Sequence, residues 1–136
     1  MTDTKSKADE RWYAARLGTV RTPLSGGNSR HTRSDTLDPD IFLEVKTGKS
    51  FPVSWDGWAR LFDAVSVKAD AEGKIAVLVL HRNRQPRQDA LTFFRVPGGE
   101  FKGLAVQVRW RCFEQGVLAD LRRIHREHPS RGENSR

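Results

Sequence analysis

Ile75-Ala76-Val77-Leu78-Val79-Leu80 places six apolar residues in a row, and no other feature limits the fold of this chain so strongly. Bounded by Glu72-Gly73 before it and a polar, basic stretch after it, the run is too short to cross a membrane and reads as a β-strand. A strand that is apolar at every position must be covered on both faces. Helical patterns elsewhere supply the cover, so the chain is expected to be α/β, with helices flanking a small mixed sheet.

The remaining elements follow from local signals. Residues 6–17 favour a helix, with Trp12 and Ala15 on one stripe, Glu10, Ala14 and Leu17 on the next, and Gly18 as the stop. Residues 20–24 read as a short extended piece, and residues 25–34 are so poor in apolar side chains that they must be a surface loop. Asp38-Pro39 signals a tight turn between a short strand at residues 35–37 and a longer one at residues 41–46. Ser54 is placed to cap a helix running to about Ala69, with Trp55, Trp58, Leu61, Phe62 and Val65 at core spacing. Residues 91–96 form another strand ended by Pro97-Gly98-Gly99. Residues 104–110 are open to either strand or helix, and residues 111–128 read as a helix interrupted at Gly116. The expected order is helix, strand, strand, helix, strand, strand, helix, in one domain over residues 1–128 with a disordered basic tail at residues 129–136.

Charge narrows the partner. Twenty-four Lys and Arg against seventeen Asp and Glu leave a formal charge of +7, which points to a polyanion. The excess is carried by arginines, notably Arg30, Arg33, Arg82, Arg84, Arg87, Arg109, Arg111, Arg122, Arg123 and Arg126, whose forked donors match phosphate. No basic amphipathic helix with bulky apolar anchors speaks for a membrane surface. The N-terminus lacks a secretory signal, so a cytoplasmic protein is expected. Cys112 is the only cysteine; it excludes an internal disulfide or a cysteine zinc site and is expected to be a small buried hydrophobe.

Chemistry is concentrated in Glu44-Val45-Lys46. On a strand, Glu44 and Lys46 share a face with Phe42, while Ile41, Leu43 and Val45 point the other way. A divalent ion such as Mg²⁺ takes one or two carboxylates plus water and substrate phosphate, so a second acid is required. Asp40 lies four residues along the same strand, about 13 Å from Glu44. With Asp38-Pro39 as the turn, Thr36 pairs with Ile41 and Asp35 with Phe42, which sets Asp35 diagonally from Glu44 at about 7–8 Å. Asp35 is therefore the expected partner, and Asp40 is the alternative if the strand starts later or kinks. Lys46 would orient the attacking water or stabilise charge developing on the phosphorus. Glu10 is an outer ligand or a solvated helix glutamate, and Ser25 with Gly26-Gly27 is a phosphate contact or a simple bend. His31 is a general base or a solvated loop histidine.

These residues resemble the restriction-endonuclease-like nuclease superfamily, and within it the Holliday junction resolvases of archaea and their phage-borne relatives. The resemblance rests on a helix bearing Glu10, then Arg21-Thr22-Pro23-Leu24-Ser25-Gly26, a polar loop, Asp35 ten residues after the serine, and Glu44-x-Lys46. It covers residues 8–48, with the following helix and apolar strand in the expected order. It implies a homodimeric, Mg²⁺-dependent endonuclease, with Mn²⁺ as a substitute, that cuts four-way DNA junctions symmetrically. Asp35 and Glu44 would be metal ligands, Lys46 the catalytic lysine, Glu10 a further metal-site acid and Ser25 a catalytic loop residue. Arg21, Arg30 and Arg33 are the expected DNA contacts. The interval between Asp35 and Glu44 is shorter than in most members of that family, and the segment after Gly99 has no counterpart in it.

Overall fold

The structure, a computed structural model, describes residues 5–23 and 32–128. A four-stranded sheet in the order β1-β2-β3-β4 is built from β1 (Ile41–Gly48), β2 (Ile75–Arg82), β3 (Leu91–Arg95) and β4 (Ala105–Arg109). β1 and β2 run parallel, with Ile41 opposite Ile75 and Gly48 opposite Arg82, while β3 and β4 add antiparallel. A parallel neighbour needs a long crossover, and α2 (Trp55–Glu72) provides it on one face. The other face carries α1 (Lys5–Leu17) and the C-terminal helical segment, made of α3 (Trp110–Cys112), a π turn at Phe113–Val117 and α4 (Leu118–Glu127).

Strand alternation divides the apolar run between two cores. Ile75, Val77 and Val79 pack with Ile41, Leu43 and Val45 against Tyr13, Leu17, Trp110 and Phe113. Ala76, Leu78 and Leu80 pack with Phe42 and Phe93 against Phe62, Val65 and Ala69 of α2. Val77 and Leu78 are both fully buried on opposite faces, and each such side chain stabilises the fold by about 1.5–3 kcal/mol. A charge at either position would open one of the two cores.

The ends of α2 follow the sequence signals. Ser54 accepts from the Gly57 N–H at 3.2 Å, and Gly73 ends the helix in the left-handed region at φ +66°, where glycine bears no Cβ penalty. Four expectations are corrected. No strand forms at residues 35–37, where only an isolated antiparallel bridge joins Arg21 to Thr36. Residues 105–109 are a strand, so the observed order is helix, strand, helix and three strands before the C-terminal helices. Trp55 does not join the core and is 60 % exposed. Cys112 is exposed as well, because the short helix turns its neighbours Trp110 and Phe113 inward instead. Among the described residues no helix is long and apolar enough to cross a membrane.

Candidate functional site

β1 is the outer strand of the sheet, and side chains, rather than another strand, close its free edge. The Ser34 hydroxyl accepts from the Leu43 N–H at 2.8 Å and donates to the Leu43 carbonyl at 3.2 Å. The Asp35 N–H donates to the same carbonyl at 2.8 Å, and an Asp35 carboxylate oxygen accepts from the Val45 N–H at 2.8 Å. Asp35 thus occupies the place of a backbone carbonyl in the ladder. Residues 20–22 lie outside it, with the Thr22 N–H on the Asp35 carbonyl at 2.8 Å and the Leu37 N–H on the Val20 carbonyl at 3.0 Å.

The tight hairpin expected at Asp38-Pro39 does not form. Asp38 accepts from the N–H groups of Asp40 and Ile41 at 2.8 and 2.9 Å, which takes the Asp40 donor that a two-residue turn needs for its pair with Leu37. Asp35 consequently sits beside Leu43 and Val45 instead of opposite Phe42, flanking Glu44 directly rather than diagonally. Asp40, the alternative ligand, is excluded from this cluster. Its carboxylate is held by Arg122 at 3.0 Å and Arg126 at 2.7 Å, and despite burial these two guanidiniums keep it below the usual carboxylate range.

The electrostatics of the edge are unusual. Burial, reinforced by the charges of Glu44 and Glu10, pushes the Asp35 carboxyl up to about 8 against the opposing Val45 N–H and Lys46. Burial also raises Glu44, with Glu10 adding to the effect and Lys46 and Lys68 opposing it. The Lys46 ammonium lies 3.9 Å from Glu44 and its side chain is 41 % exposed. Asp35, Glu44, Lys46 and Glu10 therefore share one electrostatic neighbourhood, and Lys68 of α2 belongs to it too. Its participation depends on how α2 lies over β1, which no local pattern in the sequence reports.

The other expected residues fall differently. Glu10 is paired with Arg21 at 2.7 Å, with both side chains largely covered, so Arg21 is bound to an acid of its own chain. Arg33 is exposed and donates its backbone N–H to Glu72 at 2.9 Å. Among the described residues no group of three or more His, Cys, Asp or Glu side chains is close enough to hold a metal ion, so Glu10, Asp35 and Glu44 are not drawn around a single point. Ser25, Gly26, Gly27, Arg30, His31 and the tail at residues 129–136 lie outside the described residues.

A second polar cluster, not anticipated from the sequence, lies on the opposite face of β1. Asp9 is 2 % exposed and accepts from Thr47 at 2.6 Å and from Arg87 at 2.8 Å. His81 bridges Asp9 through Nδ1 and the Gln85 carbonyl through Nε2, both at 2.6 Å. Burial alone would raise Asp9, but Thr47, Arg87 and His81 together hold it below its ordinary value. The one available signal is its position four residues before Tyr13, on the stripe that α1 buries.

The arginines also divide. Arg87, Arg111, Arg122, Arg123 and Arg126 are all ion-paired to acids of the same chain, and their charge is largely spent on the fold. Among the described residues Arg82, Arg84 and Arg109 have no such partner. No protein-family model, curated protein or solved structure matches the chain.

Proposed function

We propose that the outer edge of β1 is the catalytic centre of a metal-dependent endonuclease of the restriction-endonuclease-like type. Its substrate is branched DNA, which it resolves as a homodimer in the manner of Holliday junction resolvases. The observation that carries this reading is the placement of Asp35 on the free edge of β1, its carboxylate on the Val45 N–H at 2.8 Å between Glu44 and Lys46, which lie 3.9 Å apart; burial and the neighbouring acids push it up to about 8. Acids crowded and buried together favour a bound cation, and strongly perturbed carboxyls in such clusters are a feature of functional sites.

Asp35 and Glu44 are the residues that would hold a Mg²⁺ ion, which commonly takes two carboxylates and fills its remaining positions with water and phosphate oxygens. Once bound, the ion would supply an acidified water and neutralise charge on a phosphodiester. The protein's own contribution is positional. The Val45 N–H fixes one oxygen of Asp35 at 2.8 Å, so this carboxylate is set by the strand rather than by a mobile loop. Lys46 projects from the same strand with its side chain 41 % exposed, where it can stabilise negative charge developing on the phosphorus and orient the attacking water. Arg21 holds Glu10 at 2.7 Å, and from there the charge of Glu10 acts on Asp35 and Glu44.

Cleavage of a labelled four-way junction and of a linear duplex of equal length, each in Mg²⁺ and in EDTA, tests the reading. Junction cutting that requires Mg²⁺ and is lost in Asp35→Asn, with binding retained, is the expected result. Equal cutting of both substrates would reassign the protein to an ordinary duplex nuclease. Tight binding with no cutting in Mg²⁺ or Mn²⁺ would make it a DNA-binding module without catalysis.

A further inference from the structure

The register of the sheet aligns Lys46 with Leu80, Leu80 with Leu91, and Leu91 with Arg109. Registered residues share a face, so this row crosses the sheet on the side covered by α2, from the candidate site to the far edge. Three strand spacings make its length about 14 Å. Leu80 in the middle of the row is 1 % exposed and belongs to the core under α2. Beside it, toward Arg109, lies a groove of about 380 Å³, lined by Phe51, Trp58, Leu80, Leu91, Arg82 and Arg109.

The composition of this groove is selective. Its floor is Leu80 and Leu91 and its aromatic walls are Phe51 and Trp58, the latter fixed by ring contacts to Phe93 and Trp55 with centroids 5.5 and 5.6 Å apart. Its two cations are arginines that the fold leaves without an acidic partner among the described residues. The one carboxylate on its lining, Asp89, is already bound by Arg111. The backbone beneath Arg82 is firm. Arg82 donates its N–H to the Gln85 side chain at 3.1 Å, and the Asn83 N–H reaches the Gly48 carbonyl at 2.8 Å. A groove with aromatic walls and guanidiniums that have no acidic partner among the described residues matches how proteins hold single-stranded nucleic acid, with phosphates on the cations and bases against the rings.

We infer that this groove holds a short unpaired stretch of DNA leading away from the cut, with Arg82 and Arg109 on its phosphates and a base against Phe51 and Trp58. The inference rests on the nuclease reading for its choice of DNA as the polyanion. On the nuclease reading it would favour branched substrates, because base pairs at a branch point lack a stacked neighbour on one side and open more readily than pairs inside an intact duplex.

Binding of a fluorescent single-stranded oligothymidine and of a four-way junction, measured in EDTA over a range of salt concentrations, tests it in the full-length protein. Arg82→Ala/Arg109→Ala should weaken oligothymidine binding at least tenfold and flatten the salt dependence by about 1.4 logarithmic units per decade, the value for two phosphates on a single strand. Arg60→Ala, at an exposed arginine outside the groove, should stay within twofold of wild type, and Arg82→Lys/Arg109→Lys should regain most of the salt slope. Circular dichroism verifies that each variant folds. If the double alanine variant binds both probes as tightly and as salt-dependently as wild type, the groove is not a strand site. Loss of oligothymidine binding in that variant from a wild-type protein that never cuts junctions would uphold the groove and remove the nuclease. Intact junction cutting with unchanged binding in the variant would do the reverse.

Discussion

Replacing Asp35 with asparagine keeps the shape of the side chain and an oxygen able to accept the Val45 N–H, now at 2.8 Å, while removing a charge the fold resists. The gap between the ordinary value of 3.8 and about 8 sets a ceiling of about 6 kcal/mol on the penalty. Relaxation and water entry reduce such penalties severalfold, so the gain expected in urea denaturation is about 1–3 kcal/mol. The sign follows from proton binding. In the folded protein Asp35 keeps its proton to about 8, whereas the unfolded chain releases it at 3.8. Between those values the folded state binds more protons, so wild-type stability falls as pH rises through the window and the penalty is complete above it. Asp35→Asn should therefore match wild type near pH 4 and exceed it near pH 9 in EDTA. Mg²⁺ should reverse the order, since a ligand at a hundred times its Kd stabilises the wild type by about 2.7 kcal/mol and the variant by far less. The reasoning fails if, near pH 9 in EDTA, the variant is no more stable than wild type, or if Mg²⁺ shifts both equally.

Three further substitutions probe the scaffold by the same urea assay. Arg84 has φ +70°, a left-handed backbone that costs a side-chain-bearing residue about 1 kcal/mol or more, so Arg84→Gly should stabilise the protein by about that amount. Gly57→Ala, ordinarily worth about 1 kcal/mol in a helix, should instead destabilise by about 1–3 kcal/mol, because its Cβ would collide with the Pro52 ring. Arg122→Ala should cost about 3–5 kcal/mol, since it strips Asp38 of a partner at 2.7 Å and Asp40 of one at 3.0 Å where β1 begins.

Periodicity and capping made the central architecture legible. The apolar run could only be a doubly covered strand, and Ser54 could only begin α2, because both signals depend on neighbours within one turn or one pleat. The C-terminal part was less readable: residues 104–110 suit strand or helix alone and become β4 only by pairing with β3. At the candidate site, the hairpin that the sequence suggests sets Asp35 beside Glu44 through a pairing that does not form. Asp38 could serve as a turn residue or as a cap for two N–H groups, and only Arg122, 84 residues away in sequence, decides between them. Asp9 carries no sequence signal of its own, because an aspartate on a soluble helix ordinarily faces water. Its burial is made tolerable by Thr47, His81 and Arg87, which come from three other parts of the chain.

Asp9 and Glu10 are consecutive residues on α1, yet one is clamped in the polar cluster under β1 and the other reaches toward the acids at its edge. A helix residue cannot shift without carrying its neighbour, so the tilt of Glu10 is set by a lock it does not touch. Natural variation at Thr47, His81 or Arg87 should accordingly be felt first as altered aim of Glu10 at the outer edge of β1, long before it is felt as loss of the fold.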